Sequence, residues 1–112
     1  MSDCLFCAII SGDIPSDKVY EDELVYVFND IAPKAPVHML VIPKVHIASA
    51  AEVTGENSSV IARCFEVIAL LAGRMGLESF RVVTNCAEQA GQTVFHLHFH
   101  VLSGRDMTQT MG

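Results

Sequence analysis

The segment "VFHLHFHVLSG", residues 94–104, alternates apolar side chains with three histidines, a pattern that predicts a β-strand. Successive side chains of a strand point to opposite faces, so we expect the apolar face to pack against a helix. The apolar face carries Phe95, Leu97, Phe99 and Val101. The opposite face carries His96, His98 and His100. Exposed sheet faces usually carry Thr, Lys or Glu, so three histidines indicate a function rather than simple solvation.

Three other segments have the composition of strands. "KVYEDELVYVFND", residues 18–30, predicts two strands joined by a tight acidic turn at Asp22 and Glu23. "VHMLVIP", residues 37–43, predicts a largely buried strand that ends at a proline. "FRVVTN", residues 80–85, predicts a further strand before the histidine segment.

Two segments predict helices. A short helix is expected from an N-cap at Asp3 to about Ile10, with Gly12 as its C-terminal stop. Residues 56–75 place apolar side chains three and four positions apart, which indicates an amphipathic helix ended by Gly76. Its apolar stripe, which we expect to pack in the core, comprises Ile61, Cys64, Phe65, Ile68, Leu71, Ala72 and Met75.

The order of these elements predicts the fold class. Short turns join neighbouring strands directly, which favours an antiparallel sheet with helices on one face over a doubly wound parallel sheet. The chain has 112 residues, of which 51% are hydrophobic, enough for one core. We therefore expect a single α+β domain over residues 1–112.

Charge and hydropathy restrict the partners. The formal net charge of −6 argues against a protein that grips nucleic-acid backbones, because such a protein needs a basic face. The sequence has no leader-like basic and apolar start and no run of about 20 apolar residues, so we expect neither a membrane partner nor secretion. The expected location is cytoplasmic.

The three histidines of a straight strand cannot share one metal ion. Residues two apart lie about 6.6 Å apart along a strand and residues four apart about 13 Å. A zinc–nitrogen bond measures only about 2 Å. At least one of the three imidazoles must therefore serve another purpose.

Cys4 and Cys7 form "CLFC", a C-x-x-C pair with the spacing of two thiolate ligands. Ordinary cytosolic thiols and a redox pair are the alternatives. A thioredoxin-like arrangement needs a strand immediately before the pair, and three residues leave no room for one.

Imidazole is the best candidate for the reactive group. The sequence has no phosphate-binding loop, dinucleotide fingerprint or serine nucleophile elbow. A neutral histidine can attack phosphorus, and a second imidazole can protonate the leaving group. "AGQT", residues 90–93, adds backbone N–H groups, the Gln92 amide and the Thr93 hydroxyl as donors to phosphate oxygens.

At these residues the sequence resembles the histidine triad family. "HLHFHVL", residues 96–102, is similar to the H-φ-H-φ-H-φ-φ signature of that family, where φ is apolar, and "GQT" precedes it. "FNDIAPKAPVHMLVIPKVHI", residues 28–47, and "CLFCAIISGDIPSDKVYEDE", residues 4–23, resemble two further family segments. The resemblance is strongest to the Hint branch, bacterial type, which carries C-x-x-C.

The resemblance implies a fold and an activity. It implies a five-stranded antiparallel sheet with one long and one short helix, paired into a ten-stranded sheet across a homodimer. It implies hydrolysis of purine nucleoside phosphoramidates, such as AMP joined to an amine, through a nucleotidyl-histidine intermediate. Dinucleoside polyphosphate hydrolysis and a nucleotide-binding role with little turnover are the alternatives.

The resemblance also assigns roles to residues. His98 falls at the nucleophile, His100 at the position that contacts phosphate and assists the leaving group, and His96 at a supporting position. Thr93, which completes the implied catalytic set, replaces the serine common in the branch. The implied nucleotide-binding set is Phe6, Ile14, Phe28, Asn29, Asp30, Ile31, Asn85, Gln92, Thr93, His98 and His100.

A structural Zn²⁺ is implied at Cys4, Cys7, His46 and His96. His38 receives no role, and we expect it to be a buried, hydrogen-bonded histidine. The tail "SGRDMTQTMG", residues 103–112, lacks the Trp of many relatives, which leaves the preference for the leaving group open.

Overall fold

The computed structural model, which describes residues 4–111, contains five strands and two α-helices. The strands are β1 (Lys18–Glu21), β2 (Val25–Asn29), β3 (Val37–Pro43), β4 (Arg81–Val83) and β5 (Phe99–Ser103). The helices are α1 (Leu5–Ser11) and α2 (Ser58–Met75). All strand pairs are antiparallel, in the order β1-β2-β3-β5-β4. The predicted α+β class, five-stranded antiparallel sheet and pair of helices are confirmed.

The two helices cover opposite faces of the sheet. On one face, which we call the α2 face, α2 packs against residues such as Val27 of β2 and Val41 of β3. On the other, the α1 face, α1 packs against Phe28 of β2 and Leu40 of β3. The prediction that both helices lie on one face is wrong, because β2 and β3 are apolar on both faces and so bury both.

The histidine segment enters the sheet later than the alternation predicts. β5 begins at Phe99, and residues 94–98 are irregular. The Leu97 N–H donates to the Ile47 carbonyl at 2.6 Å, outside the ladder between β3 and β5. His96 and His98 therefore precede the strand, and only His100 lies within it.

The burial of the apolar residues follows the prediction in part. Leu97, Phe99 and Val101 join the α2 face of the core, whereas Phe95 is exposed. In α2 the predicted stripe is correct at four buried positions, Cys64, Ile68, Leu71 and Ala72. Phe65 and Met75 are exposed instead, and Val60 and Val67 are buried. The buried face of α2 is thus rotated relative to the predicted stripe.

The helix ends agree with the residue types. Gly12 and Gly76 both adopt the left-handed conformation and donate their N–H groups back to the helices that they end, as predicted. The N-cap of α1 is Cys4, whose Sγ accepts from the Cys7 N–H at 3.3 Å. The predicted cap, Asp3, lies outside the described residues. In the described part of the chain, no helix combines the length and apolar character needed to cross a membrane.

The C-terminal tail is attached to the edge of the sheet by Arg81. This β4 side chain donates to the carbonyl oxygens of Met107, at 2.7 Å, and Thr110, at 2.8 Å. The bond to the Thr110 hydroxyl measures 3.2 Å. Three bonds from one guanidinium thus hold the tail beside β4.

The turn between β1 and β2 is fixed by Asp22. Its Oδ1 accepts from the N–H groups of Leu24, at 2.8 Å, and Val25, at 2.9 Å. Its Oδ2 accepts from the Tyr20 hydroxyl at 2.9 Å and from Arg63 of α2 at 3.0 Å. Burial acts to raise the pKa of Asp22, but these hydrogen bonds outweigh it and lower the pKa from 3.8 to about 2. One carboxylate thus joins the turn to the long helix.

We expect Asp22→Asn to lower the free energy of unfolding at neutral pH by about 1–3 kcal/mol, because the amide nitrogen cannot accept from Tyr20 or Arg63. The pKa of Asp22 is depressed by folding, so its contribution is complete above about pH 4 and is lost as the pH falls through about 2. Urea denaturation at several pH values should therefore show a steeper acid loss for the wild type than for the variant. Glu23→Gln, an exposed change in the same turn, is the control and should follow the wild type. Parallel pH curves for wild type and Asp22→Asn would contradict this role.

Candidate functional site

A pocket of about 380 Å³ opens on the α1 face of the sheet. Nine of the eleven predicted nucleotide-binding residues line it, which are Phe6, Ile14, Phe28, Asn29, Asp30, Ile31, Thr93, His98 and His100. Asn85 and Gln92 are not among the lining residues. The structure therefore brings most of the predicted set into one concave site with apolar and polar parts.

The apolar part of the pocket lies between α1 and β2. The ring centroids of Phe6 and Phe28 are 5.4 Å apart and meet edge to face. Ile14, from the loop after α1, and Ile31, from the loop after β2, complete this wall, and the Ile31 side chain is 98% exposed. Such a wall suits a flat heteroaromatic ring, which it can contact on its faces.

Asp30 places a carboxylate at the polar part of the pocket. Its Oδ1 accepts from the Ala32 N–H at 2.8 Å, which fixes the side chain in the loop after β2. Its Oδ2 lies 3.4 Å from Nε2 of His38. The neighbouring Asn29 amide is held by Asp17, at 2.9 Å. Asp30 therefore offers a fixed acceptor to hydroxyl groups of a ligand.

Gln92 and Asn85 belong to the loop structure rather than to the pocket wall. The Gln92 side chain is buried and accepts from the Ala87 N–H at 2.8 Å. It donates to the carbonyl oxygens of Ala48, at 2.8 Å, and Val94, at 3.1 Å. Ala87 has a φ of 74°, which is unfavourable for a residue with a Cβ, so Gln92 holds a strained loop beside Thr93. Asn85, half-buried, lies at the start of that loop.

The second group of candidate residues lies on the other side of α1. Cys4, Cys7, His46 and His96 place one ligand atom each within 4.8 Å of the others. The Sγ atom of Cys4 lies 3.3 Å from Nδ1 of His96, and that of Cys7 lies 3.4 Å from Nδ1 of His46. The two Nδ1 atoms are 3.2 Å apart. Around a tetrahedral zinc ion neighbouring nitrogen and sulfur ligands lie about 3.3–3.8 Å apart, so these four residues could hold a metal ion.

Local structure explains this convergence. Cys4 caps α1 and Cys7 lies in its first turn, so the start of one short helix brings both sulfur atoms together. His46 follows the end of β3, and His96 is bonded to that same end, because its Nε2 lies 2.8 Å from the Pro43 carbonyl oxygen. A carbonyl can only accept, so Nε2 of His96 carries the proton and Nδ1 presents a lone pair to the sulfur atoms.

His98 is a buried neutral imidazole with a defined tautomer. Its Nδ1 donates to the His96 carbonyl oxygen at 2.7 Å, so Nε2 keeps the lone pair. Burial lowers the pKa of His98, although the bond to His96 and the charge of Asp30 act in the opposite direction. The ring packs edge to face against Phe6, with centroids 5.0 Å apart. These contacts prepare Nε2 as a nucleophile or acceptor at the pocket.

His100 lies beside His98, with ring centroids 5.0 Å apart. Burial, followed by the nearby His98 and His38, lowers the pKa of His100 from 6.5 to about 4. Its Nδ1 lies 2.9 Å from Nε2 of His38. His38 is buried and hydrogen-bonded, as the sequence predicts, but its contact with His100 was not predicted. Only the register of β3 and β5 reveals that contact, because it places both side chains on the α1 face.

Comparison with known proteins places the chain among relatives of similar length. The HIT domain family matches residues 11–107. A purine nucleoside phosphoramidase of Escherichia coli K12 is 39% identical over 105 residues, which cover 92% of this chain and 88% of that protein. An uncharacterized HIT-like protein of Synechococcus elongatus is 44% identical over 111 residues, which cover 98% of this chain and 97% of that protein.

Solved structures give the same result. A HIT family hydrolase from Clostridium thermocellum has a TM-score of 0.92 and 44% identity, covering 96% of this chain and 95% of that one. A histidine triad protein from Clostridium difficile has a TM-score of 0.93 and 41% identity, covering 99% and 98%. The resemblance in the histidine segment is thus confirmed over nearly the whole chain, which belongs to the HIT-domain family.

Proposed function

We propose that this chain hydrolyses purine nucleoside phosphoramidates, such as AMP linked to an amine, with His98 as the nucleophile. The observation that carries the proposal is the tautomer of His98, which leaves a lone pair on Nε2 of a ring that lines the same pocket as an apolar slot and Asp30. A relative that is 39% identical is named a purine nucleoside phosphoramidase, which supports the choice of substrate.

In this proposal the nucleoside occupies the apolar part of the pocket. The purine lies against Phe28, with Phe6 and the two isoleucines around it. Asp30 accepts hydrogen bonds from the ribose hydroxyls, which the apolar wall cannot satisfy. The Thr93 hydroxyl, also at the pocket, donates to a phosphate oxygen. The phosphorus atom then lies near His98 and His100.

The reaction proceeds in two displacements. Nε2 of His98 forms a bond to phosphorus while the phosphorus–nitrogen bond breaks, and the leaving amine takes a proton from the imidazolium form of His100, which the negative charge of the bound substrate favours and which becomes neutral in this step. The imidazolium that forms on His98 is stabilised because its Nδ1–H is held by the His96 carbonyl. Water then attacks phosphorus, returns a proton to His100 and releases AMP and neutral His98.

We further propose that Zn²⁺ bound by Cys4, Cys7, His46 and His96 is structural. The four ligands join the start of α1 to the end of β3 and to the segment before β5, so the ion would fasten three separate parts of the chain. Two protein sulfurs and two protein nitrogens complete a tetrahedron, as in structural sites, whereas catalytic zinc keeps an open position. A cytoplasmic location, which we also propose, keeps these thiols from forming disulfides.

We propose that two copies pair into a ten-stranded sheet through β4. This strand is at the end of the sheet order, and within residues 4–111 its backbone pairs with β5 alone. The tail bonds to the Arg81 side chain rather than to the β4 backbone, so a partner strand could pair with the outer edge. Phe80, immediately before β4, is 39% exposed, and Phe65 of α2 is 48% exposed. Pairing of two such edges would extend the antiparallel sheet and bury apolar surface.

To test the reaction, turnover of an adenosine phosphoramidate is quenched and the intact protein is weighed. We expect a nucleotidyl adduct that maps to His98 in the wild type. His98→Ala should lower kcat at least about 10³-fold, because the nucleophile is removed, while AMP affinity measured by calorimetry largely survives. An unchanged kcat, or an adduct on another residue, would refute nucleophilic catalysis by His98. The same assay with a dinucleoside polyphosphate defines the preferred substrate class.

To test the metal, the purified protein is analysed for zinc and then exposed to a chelator. We expect one zinc per chain and a lower melting temperature after its removal, because binding free energy is folding free energy at such a site. Cys7→Ser should lose zinc and stability, whereas Cys86→Ser, a change at an exposed thiol outside the group, should retain both. Immediate loss of turnover in chelated protein that remains folded would instead indicate catalytic zinc.

To test the assembly, sedimentation equilibrium should give the mass of two chains. Phe80→Lys places a charge beside β4 and should shift the protein towards the monomer. Leu24→Lys, at an exposed turn next to β1 on the opposite edge of the sheet, is the matched control and should remain dimeric. A monomeric wild type, or equal dissociation by both variants, would exclude pairing through β4.

A further inference from the structure

We propose that Asp17 is a specificity-determining residue, whose carboxylate accepts hydrogen bonds from the N–H groups at the edge of a guanine base. The inference rests on the proposed function, because it takes the ligand to be a purine nucleoside monophosphate or its conjugate. It adds a preference for guanine over adenine, and it concerns a residue outside the implied nucleotide-binding set.

The pocket extends across the sheet along one row of paired residues. His100 of β5 is opposite Leu40 of β3, which is opposite Phe28 of β2. Phe28 in turn is opposite Lys18, the first residue of β1. Three strand spacings of about 4.8 Å place the two ends of this row about 14 Å apart. Asp17, immediately before Lys18, lines the pocket at the end away from His100.

The polar groups of the pocket follow the order of the strands. His98 and His100, proposed to act on phosphorus, lie at one end. Asp30, the proposed ribose ligand, comes next, because its Oδ2 is 3.4 Å from Nε2 of His38 on β3. A nucleotide with its phosphate at the histidines and its ribose at Asp30 therefore directs its base towards the β1 end, where Asp17 lies.

Asn29 of β2 holds the Asp17 carboxylate in place. Its Nδ2 donates to Oδ2 of Asp17 at 2.9 Å, and its backbone N–H donates to the Asp17 carbonyl oxygen, also at 2.9 Å. Among residues 4–111, Oδ1 of Asp17 has no hydrogen-bond partner and no ion pair includes Asp17. The neighbouring Ser16 hydroxyl is bonded to the Tyr26 hydroxyl at 2.7 Å. Asp17 therefore offers an oriented and unused acceptor to a ligand of the pocket.

A carboxylate distinguishes guanine from adenine because it only accepts hydrogen bonds. Guanine carries two donors, N1–H and the 2-amino group, side by side on one edge, so one carboxylate can accept from both. Adenine has one donor group, the 6-amino group, between the N1 and N7 acceptors, whose lone pairs a carboxylate repels. The loss of one charge-assisted hydrogen bond corresponds to a fall in affinity of about 10-fold or more.

The negative charge of Asp17 is compatible with an anionic ligand. The phosphate is expected near His100, about 14 Å along the row, and the Debye length is only about 8 Å at physiological ionic strength. The repulsion that remains acts equally on guanosine and adenosine nucleotides. It therefore lowers the affinity for both and leaves the preference between the two bases unchanged.

The first measurement is the affinity of the wild type for GMP, IMP and AMP by calorimetry, which requires no turnover. IMP retains the N1–H of guanine but lacks the 2-amino group. We expect GMP to bind about 10-fold more tightly than IMP and at least about 10-fold more tightly than AMP. Equal affinities for the three nucleotides would overturn the proposal.

The second measurement repeats these titrations with Asp17→Asn, which changes the shape of the side chain little. The new amide oxygen can still accept from Asn29, but the NH₂ group cannot accept from guanine. We expect GMP to bind about 10-fold more weakly, and AMP no more weakly than to the wild type, because N1 of adenine can accept from that NH₂ group.

Asp13→Asn is the matched control, because it removes the same charge from an exposed position in the loop after α1, outside the lining of the pocket. This variant should keep the wild-type ratio of GMP affinity to AMP affinity. An equal change in both affinities for Asp17→Asn would mean that Asp17 acts only through its charge, and it would overturn the recognition of the base.

The outcomes separate this inference from the proposed function when guanosine and adenosine phosphoramidates are also assayed for turnover. A nucleotidyl adduct on His98 without any base preference refutes the role of Asp17 and supports the proposed function. A GMP preference that depends on Asp17, without turnover, supports recognition of the base and refutes the proposed reaction. If the wild type binds none of the nucleotides, both proposals fail. Should Asp17→Asn not fold, Asn29→Ala, which releases the carboxylate, should reduce the preference for GMP, and an unchanged preference would overturn the inference.

Discussion

The register between β3 and β5 determines what each face of the sheet contains. Met39 is opposite Val101, and both belong to the core on the α2 face. Alternation then places His38, Leu40 and His100 on the α1 face, where the pocket opens. A slip of one residue would turn the imidazoles into the apolar core and the valine outward. Because such a slip would expose Val101 and bury imidazoles in the core, the burial of Met39 and Val101 fixes the face on which His38 and His100 lie.

Because residues 94–98 do not continue the strand β5, the three histidines of the signature lie in different environments. A strand that continued through residues 94–98 would hold three imidazoles in a row at a fixed spacing. The segment is irregular instead, and the bonds of Leu97 to Ile47 and of His96 to Pro43 turn it towards the end of β3. His96 thereby reaches the cysteines, whereas His98 remains at the pocket. Because His98 bonds to the carbonyl of His96, the candidate metal group and the pocket share a backbone connection.

Much of this architecture could be predicted from the sequence. An element that buries one face shows a regular spacing of apolar residues, and a fully buried strand shows a continuous apolar run. The turn at Asp22, the apolar run of β3 and the three- and four-residue spacing in α2 all correspond to observed elements. The side of the sheet that each helix covers could not be predicted, since β2 is buried on both faces and its pattern does not distinguish them. The predicted start of the histidine strand was wrong because alternation is a local pattern, while the bond between Leu97 and Ile47 joins distant segments.

In the candidate site, too, the features that depend on local motifs could be predicted and those that depend on contacts between distant segments could not. The resemblance placed nine residues that do line the pocket, because those positions follow one another in short family motifs. The link between His38 and His100 joins residues 62 positions apart, and no spacing within one segment could indicate it. The sequence predicts that the Gln92 amide donates to a phosphate oxygen. In the structure both the oxygen and the nitrogen of that amide bond to backbone groups, so the side chain stabilises the loop. Residue type alone does not distinguish these two roles.

Charge gives the last constraint on how the pocket can hold an anion. The chain has a net charge of −6, and burial lowers the pKa of His98 and His100, so the two imidazoles that line the pocket are neutral at pH 7 before a ligand binds. In the proposed function, attraction of a phosphate would therefore come from oriented N–H and O–H dipoles rather than from net charge. The tautomer of each histidine then matters more than the number of histidines. A neutral imidazole attracts an anion with its N–H group but repels it with the lone pair of its other nitrogen. A bound phosphate would in turn favour the protonated form of the nearest ring, so the ligand itself would supply the field that eases proton transfer during the displacement.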